Sequence, residues 1–246
     1  MKKAKMKMKK AVKTQTKAQP LRNKIASINT KALFEIQNNI KAENKEVTII
    51  AVTKTRSITS IESAIKNQIY NIGENKVQEA EQKLQNFKRH QKMETHLIGP
   101  LQSNKVRKAT KLFDYIQTVD KVKLAQKINR VADEEKKIQK IFLQVNIGNI
   151  EKRVGFLTNE VEKAAHKIKS YKNVSICGVM IIPPLVDNKK KYNSYFKLAK
   201  EIQTQLKKSI NTCQYLSMGM TNDYIDAVKA GATHIRIGTA LFGERK

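Results

Sequence analysis

The sequence predicts an α/β fold, a single (β/α)8 TIM barrel, with an extra helical segment before its first strand. Three observations carry that expectation. Apolar runs of strand length recur eight times and alternate with lysine- and glutamate-rich stretches whose apolar residues lie three and four apart. Such alternation implies parallel strands joined by right-handed helical crossovers, and a count of eight closes the sheet on itself. Two small-residue turns, Ser217-Met218-Gly219-Met220-Thr221 and Arg236-Ile237-Gly238-Thr239, end the last two runs, where such barrels commonly bind phosphate. An open doubly wound sheet is the alternative arrangement of the same elements.

The chain opens with Leu21, Ile25, Ile28, Leu33, Ile36 and Ile40 at near-helical spacing, an amphipathic helix or pair of helices. Strand one is expected over 47–53 and runs into Lys54, followed by a helix over 60–68. Strand two, 69–73, ends in the turn Gly73-Glu74-Asn75 and leads into a helix over 75–87. After strand three, 95–99, come Gln102-Ser103-Asn104-Lys105, where Asn104 and Lys105 either contact a ligand or cap the next helix; capping is the simpler reading. Strand four, 115–119, is short and partly polar (Tyr-Ile-Gln-Thr-Val), so periodicity by itself does not secure it.

A helix over 121–136, strand five over 141–147, a helix over 159–170 and strand six over 175–182 follow. Pro183-Pro184 mark a rigid exit from that strand, Met180 is expected to pack in the barrel mouth, and Lys189-Lys190-Lys191 open a solvated helix around 192–208. Strand seven spans 215–219. The helix over 222–230 takes Thr221 or Asn222 as its cap and Gly231 just past its end. In strand eight, 235–238, the period of two sets His234, Arg236 and Gly238 on one face and Ile235 and Ile237 on the other, so that Arg236 points into the barrel.

These positions converge on one chemistry. A lysine at the end of a buried strand loses solvent around its ammonium, which favours the neutral amine that an aldehyde needs for imine formation. Turns rich in Gly, Ser and Thr let backbone N–H groups approach a phosphate closely. Lys54 with the two turns therefore points to pyridoxal phosphate, although a lysine beside a strand is more often a plain surface residue. A guanidinium can only donate, so Arg236 opposite a pyridine nitrogen would keep that nitrogen unprotonated and restrain carbanion chemistry. Its other reading is a salt bridge at the barrel rim.

Composition narrows the setting. The formal net charge of +28 would suit nucleic acid or an anionic membrane surface. Lysine, however, is spread over nearly every helix face in a chain rich in Ile and Asn and without Trp, which reads as compositional bias on solvated faces. Residues 1–20 form a basic extension expected to be disordered, and residues 21–246 the barrel domain. No apolar stretch approaches the roughly eighteen residues of a membrane span, and no apolar core follows the basic start, so a soluble cytoplasmic protein is expected. Cys177 and Cys213 are too few for a disulfide framework, and the four histidines lack metal-ligand spacing with them, so no metal is expected.

With these residues in place, the chain closely resembles the pyridoxal phosphate homeostasis proteins, single-domain relatives of the alanine racemase barrel. The resemblance runs from about Lys45 to Arg245. It rests on Ala51-Val52-Thr53-Lys54-Thr55, on Gly73-Glu74-Asn75 with Val77-Gln78-Glu79, and on the run from His96 through Gly99-Pro100-Leu101-Gln102-Ser103-Asn104-Lys105. Gln144-Val145-Asn146-Ile147, Gly178-Val179-Met180, Leu216-Ser217-Met218-Gly219-Met220 and the run from Arg236 to Gly243 complete it. The resemblance implies an imine between Lys54 and pyridoxal 5'-phosphate. It implies a phosphate held by Ser217, by the amides near Met218 and Gly219, and by Gly238 and Thr239, with Arg236 facing the ring nitrogen and Asn75 lining the ring. Thr53, Lys76, Arg153 and Thr221 depart from the family pattern, and the basic extension has no counterpart in it.

The related racemases resemble two-domain dimers in which a tyrosine from the second domain is the opposing acid/base. This chain ends directly after the eighth strand, so a two-base racemase would lack one base. The expectation is a monomeric carrier with no catalytic residue, which keeps pyridoxal phosphate as a lysine imine and passes it to apo-enzymes. A slow racemase-like enzyme is the second reading and nucleic-acid binding the third.

Overall fold

The computed structural model describes residues 27–244. The basic extension, Leu21 and Ile25 of the opening helical pattern, and Arg245 lie outside the described residues. Helix α1 (Thr30–Ala42) buries Leu33, Ile36 and Ile40 along one stripe and is capped by Asn29, whose side chain accepts from the Ala32 amide. Among the described residues no helix is long and apolar enough to cross a membrane.

Nine strands follow among the described residues: β1 (Thr48–Val52), β2 (Asn71–Glu74), β3 (Glu94–Leu97), β4 (Tyr115–Val119), β5 (Gln139–Asn146), β6 (Phe156–Leu157), β7 (Val174–Ile181), β8 (Tyr215–Ser217) and β9 (His234–Ile237). Eight of them close a parallel ring in the order β1-β2-β3-β4-β5-β7-β8-β9, with β9 pairing back onto β1. The fold is thus the expected barrel rather than an open sheet. The ninth, β6, is two residues paired to the end of β5 outside the ring, too short for any periodicity to announce.

The outer layer comprises α2 (Ile58–Lys66), α3 (Val77–Leu84), α4 (Val106–Leu112), α5 (Val122–Glu134), α6 (Val161–Lys169), α7 (Lys189–Ser209), α8 (Tyr224–Lys229) and α9 (Thr239–Phe242). Strand alternation sorts the core into two parts. Ala51, Leu97, Ile116 and Leu143 face outward into the cluster shared with the helices, while Tyr115, Phe142, Cys177 and Met180 form an inner cluster. Fully buried side chains of the outer layer such as Ile61, Ile128 and Phe196 each contribute about 1.5–3 kcal/mol by leaving water. Cys177 and Met180, three apart, both point inward because Cys177 is an extra residue between the pairs Ile176–Ile141 and Gly178–Phe142.

Several boundaries differ from expectation for local reasons. Helix α3 begins at Val77, leaving Asn75 and Lys76 in the loop. Helix α8 takes Asp223 as its cap position, not Thr221 or Asn222, because residues 221–223 complete a turn in which Asp223 Oδ1 accepts the Met220 amide. Gly231 does sit one past the Ala230 cap with φ +97°, a conformation that favours glycine. Neither Asn104 nor Lys105 caps α4 with its side chain; residues 103–105 form a 3-10 turn instead. Strand β4 is present in full, and its Gln117 has interior partners described below.

Candidate functional site

The residues that the sequence assigns to the cofactor, Lys54, Asn75, Ser217, Met218, Gly219, Arg236, Gly238 and Thr239, fall at the C-terminal ends of four strands adjacent in the ring, β2, β1, β9 and β8. Lys54 lies two residues past β1, Asn75 one past β2, Ser217 to Gly219 end β8, and Arg236 to Thr239 carry β9 into α9. Lys54, Asn75 and Gly238 are half-buried and Thr239 is exposed, whereas Ser217, Met218, Gly219 and Arg236 form a buried floor.

The backbone on either side of Lys54 is clamped from behind. Lys83 on α3 reaches the Thr53 carbonyl at 2.7 Å, Glu74 Oε1 at 2.8 Å and Glu79 Oε1 at 2.7 Å. The Thr53 hydroxyl donates to Glu74 Oε1 at 2.7 Å, and the Thr55 amide donates to Glu79 Oε1. A buried cation shared by two carboxylates and a carbonyl is stable only with its partners in place, so α3 fixes where the lysine emerges. Burial raises the Glu74 pKa against the opposing pull of Lys83, and its Oε2 is buried without a hydrogen-bond partner. Thr55 takes φ 61°, a left-handed value for a β-branched residue, so the turn is held against local preference. Arg56 then bonds the carbonyls of Phe242 and Gly243 at the end of α9, tying the lysine loop to the last helix.

Asn75 owes its position to a close approach of backbones. A Cβ on Gly99 would stand 2.2 Å from the Asn75 carbonyl oxygen, so only glycine lets the β3 exit pass beneath it. Beside Asn75 opens a cavity of about 630 Å³ whose lining includes Lys76, Gln78, Gln102 and Lys105.

Arg236 points into the barrel, as its strand period requires. Nη1 donates to the Ser217 hydroxyl at 2.8 Å and Nη2 to the Ile181 carbonyl at 2.9 Å. Both acceptors are neutral, so Arg236 is not the rim salt bridge that its sequence setting also allowed. Burial lowers its pKa to about 10, which leaves it a cation at neutral pH, with Asp223 and Tyr192 acting the other way. Tyr192 on α7 donates to Asp223 Oδ2 at 2.6 Å; burial, reinforced by that hydrogen bond, pushes the phenol well above its ordinary value.

Two sequence assignments change in detail. The Ser217 hydroxyl lies 2.7 Å from Gln117 Oε1 as well as against Arg236, so it serves the barrel interior. The Met218 amide donates to the His234 carbonyl at 3.1 Å and its side chain is buried in the outer core, which takes that amide out of ligand reach. Thr221 lies close by: it is half-buried, and its hydroxyl accepts from the Ala240 amide at 3.4 Å in the first turn of α9. Gly219, with φ +90° and no room for a Cβ against Ala227 at 2.7 Å, makes the turn that brings Thr221 there. The sequence offers Thr221 both as the end of a small-residue turn and as a helix cap, and marks Gln117 only as a polar residue inside a short strand, the one available signal.

An amine at the mouth, a hydroxyl beside a helix first turn and a buried cation are a donor set suited to an anionic aldehyde. Comparison with known proteins agrees. The model of the alanine racemase N-terminal domain matches residues 28–246. The pyridoxal phosphate homeostasis protein of Haemophilus influenzae is 37% identical over 217 residues, covering 86% of this chain and 92% of its own length. Its Synechocystis namesake is 38% identical over 203 residues, covering 81% and 92%. The solved structure of PipY from Synechococcus elongatus with pyridoxal phosphate bound gives a TM-score of 0.78 at 32% identity, covering 89% of this chain and 100% of that one. Alanine racemase from Clostridium difficile gives a TM-score of 0.74 at 17% identity, a likeness of fold alone, with 61% of the racemase covered. The chain belongs to the alanine racemase N-terminal domain family, among its single-barrel pyridoxal phosphate homeostasis proteins.

Proposed function

We propose that this protein binds pyridoxal 5'-phosphate at the β2-β1-β9-β8 rim and keeps it as a reversible imine on Lys54, in the service of cofactor homeostasis. The observation that carries the reading is the meeting, on adjacent strands, of half-buried Lys54 with the Gly238–Thr239 turn above buried Arg236. When bound, the cofactor would supply an aldehyde, and the Lys54 amine would hold it by a condensation that releases one water and is reversed by hydrolysis. In this reading Gly219, Thr221, Gly238 and Thr239 would hold the phosphate, Asn75 would line the ring side, and Arg236 would face the ring nitrogen. Ser217 and Met218 support that turn from beneath.

A holding role fits this site better than turnover. A two-base racemase needs a phenol or amine opposite Lys54 that can give and take a proton. Tyr192, the tyrosine nearest Arg236 electrostatically, spends its hydroxyl on Asp223 and is kept protonated. Delivery to apo-enzymes, a monomeric state and residence in the cytoplasm, where two free buried thiols stay reduced, complete the proposal.

The test is visible absorbance of the purified chain with and without added cofactor, for wild type and Lys54→Ala, followed by borohydride reduction and peptide mapping. An imine band that maps to Lys54 and is lost in the variant is expected. A band that persists in Lys54→Ala and maps elsewhere removes the assignment.

A further inference from the structure

Gln117 on β4 sits at the centre of a buried chain of side chains that crosses the barrel interior. Its Oε1 lies 2.7 Å from the Ser217 hydroxyl and its Nε2 3.0 Å from His96 Nδ1. His96 Nε2 in turn lies 2.9 Å from Asn71 Oδ1. Arg236, bonded to Ser217 at 2.8 Å, closes the other end. Ser217, Gln117 and His96 are 0% exposed and Arg236 5%, so bulk water does not compete for these bonds.

Chemistry fixes the direction of every link. A guanidinium only donates, so Ser217 Oγ accepts from Arg236 and its own proton goes to Gln117 Oε1. The amide nitrogen of Gln117 therefore faces His96 and donates to a lone pair on Nδ1. The ring proton is then on Nε2, directed at Asn71 Oδ1. Flipping the Gln117 amide would strand the Ser217 proton without an acceptor in a dry interior. All donors thus point away from the Arg236 cation.

We infer that Gln117 and His96 are positioning residues for the ring end of the cofactor site. They hold Ser217 as an acceptor toward Arg236, which keeps the guanidinium anchored below the mouth as a donor. The inference rests on the cofactor reading above and adds residues on β3 and β4, on the far side of the ring from β8.

Two measurements test it. In the cofactor-free full chain, the His96 nitrogen resonances should show a neutral ring protonated at Nε2 and bare at Nδ1. Gln117→Glu, whose carboxylate can only accept, should move a proton onto Nδ1. In the loaded chain, Gln117→Leu should release pyridoxal phosphate roughly tenfold faster and shift the imine absorbance, on the scale of one hydrogen bond to a charged group. Gln117→His, which accepts at one nitrogen and donates at the other, should restore both. Phe142→Leu, inside the barrel but outside the chain of bonds, controls for lost stability. A wild-type proton on Nδ1 overturns the inference, as does a Gln117→Leu release rate equal to that of Phe142→Leu with an unshifted band. A wild type that forms no imine with added cofactor defeats the cofactor reading instead, and the His96 nitrogens still decide the direction of the chain.

Discussion

Arg236 and Ser217 meet at 2.8 Å in the barrel interior, a buried cation donating to a neutral hydroxyl where a carboxylate would be the ordinary partner. The second donated bond, to the Ile181 carbonyl at 2.9 Å, uses the fork of the guanidinium. Arg236→Lys keeps the charge but offers a point donor to two acceptors that the planar fork had spanned. We expect a loss of about 1–3 kcal/mol in urea unfolding and faster release of cofactor, with the Lys54 imine still formed.

The acid limb of the stability profile should belong partly to the interior histidines. Burial lowers the His234 pKa from 6.5 to about 4, with Arg236 adding to the shift, and lowers that of His96 well below 6.5. Below 6.5 the unfolded chain takes up protons that the folded chain refuses, so stability falls as pH drops and levels off only below the folded values. His234 alone accounts for about 3 kcal/mol between pH 6.5 and 4. His234→Phe, which can keep the ring packing against Tyr215 and Phe142, should flatten that part of the limb in pH-dependent denaturation.

Lys83→Met removes the cation from between Glu74 and Glu79. Because it leaves two carboxylates facing each other near a buried carbonyl, the expected cost is about 3–5 kcal/mol. Glu74→Gln should cost less, since Lys83 keeps Glu79 and the Thr53 hydroxyl keeps an acceptor. If the clamp sets the lysine, imine formation at Lys54 slows in Lys83→Met even at temperatures where the chain is fully folded. Stopped-flow absorbance reads that rate.

At Thr221 the side chain, rather than the backbone, is at stake. Thr221→Val should weaken cofactor affinity roughly tenfold, whereas Thr221→Ser, which keeps the hydroxyl beside the Ala240 amide, should not. Equal affinities for the two variants would assign the phosphate to the backbone amides of the turn.

Gly99→Ala tests the approach of backbones beneath Asn75. A methyl 2.2 Å from a carbonyl oxygen forces the two strand exits apart, at a cost of about 1–3 kcal/mol. Affinity should fall along with stability, because Asn75 moves with its carbonyl.

Most of the fold was legible because strand and helix periods differ, and long helices such as α5 and α7 carry that difference over many residues. What escaped was short or shared. Two-residue β6 has no period, and the start of α8 depends on where Asp223 sends its carboxylate. The site's strand ends were readable from Lys54 and the two turns. Its interior was not: Gln117 looked like a flaw in β4 because Ser217, its partner, lies 100 residues away along the chain. Thr221 reads as a helix cap and the Met218 amide, through the resemblance, as a phosphate ligand, and neither reading shows their hydrogen bonds to α9 and β9.

The tie between Arg56 and Phe242 joins residues 186 apart, and β1 pairs with the last strand, so the rim that carries Lys54 is also the seam of the barrel. During synthesis the lysine emerges early, while the turn that would neutralise a phosphate is made last. If Lys54 holds the cofactor as proposed, a chain cut short before β8 would carry the amine without the turns proposed for the phosphate. Loading would then report on closure of the ring, which the β1–β9 pairing completes.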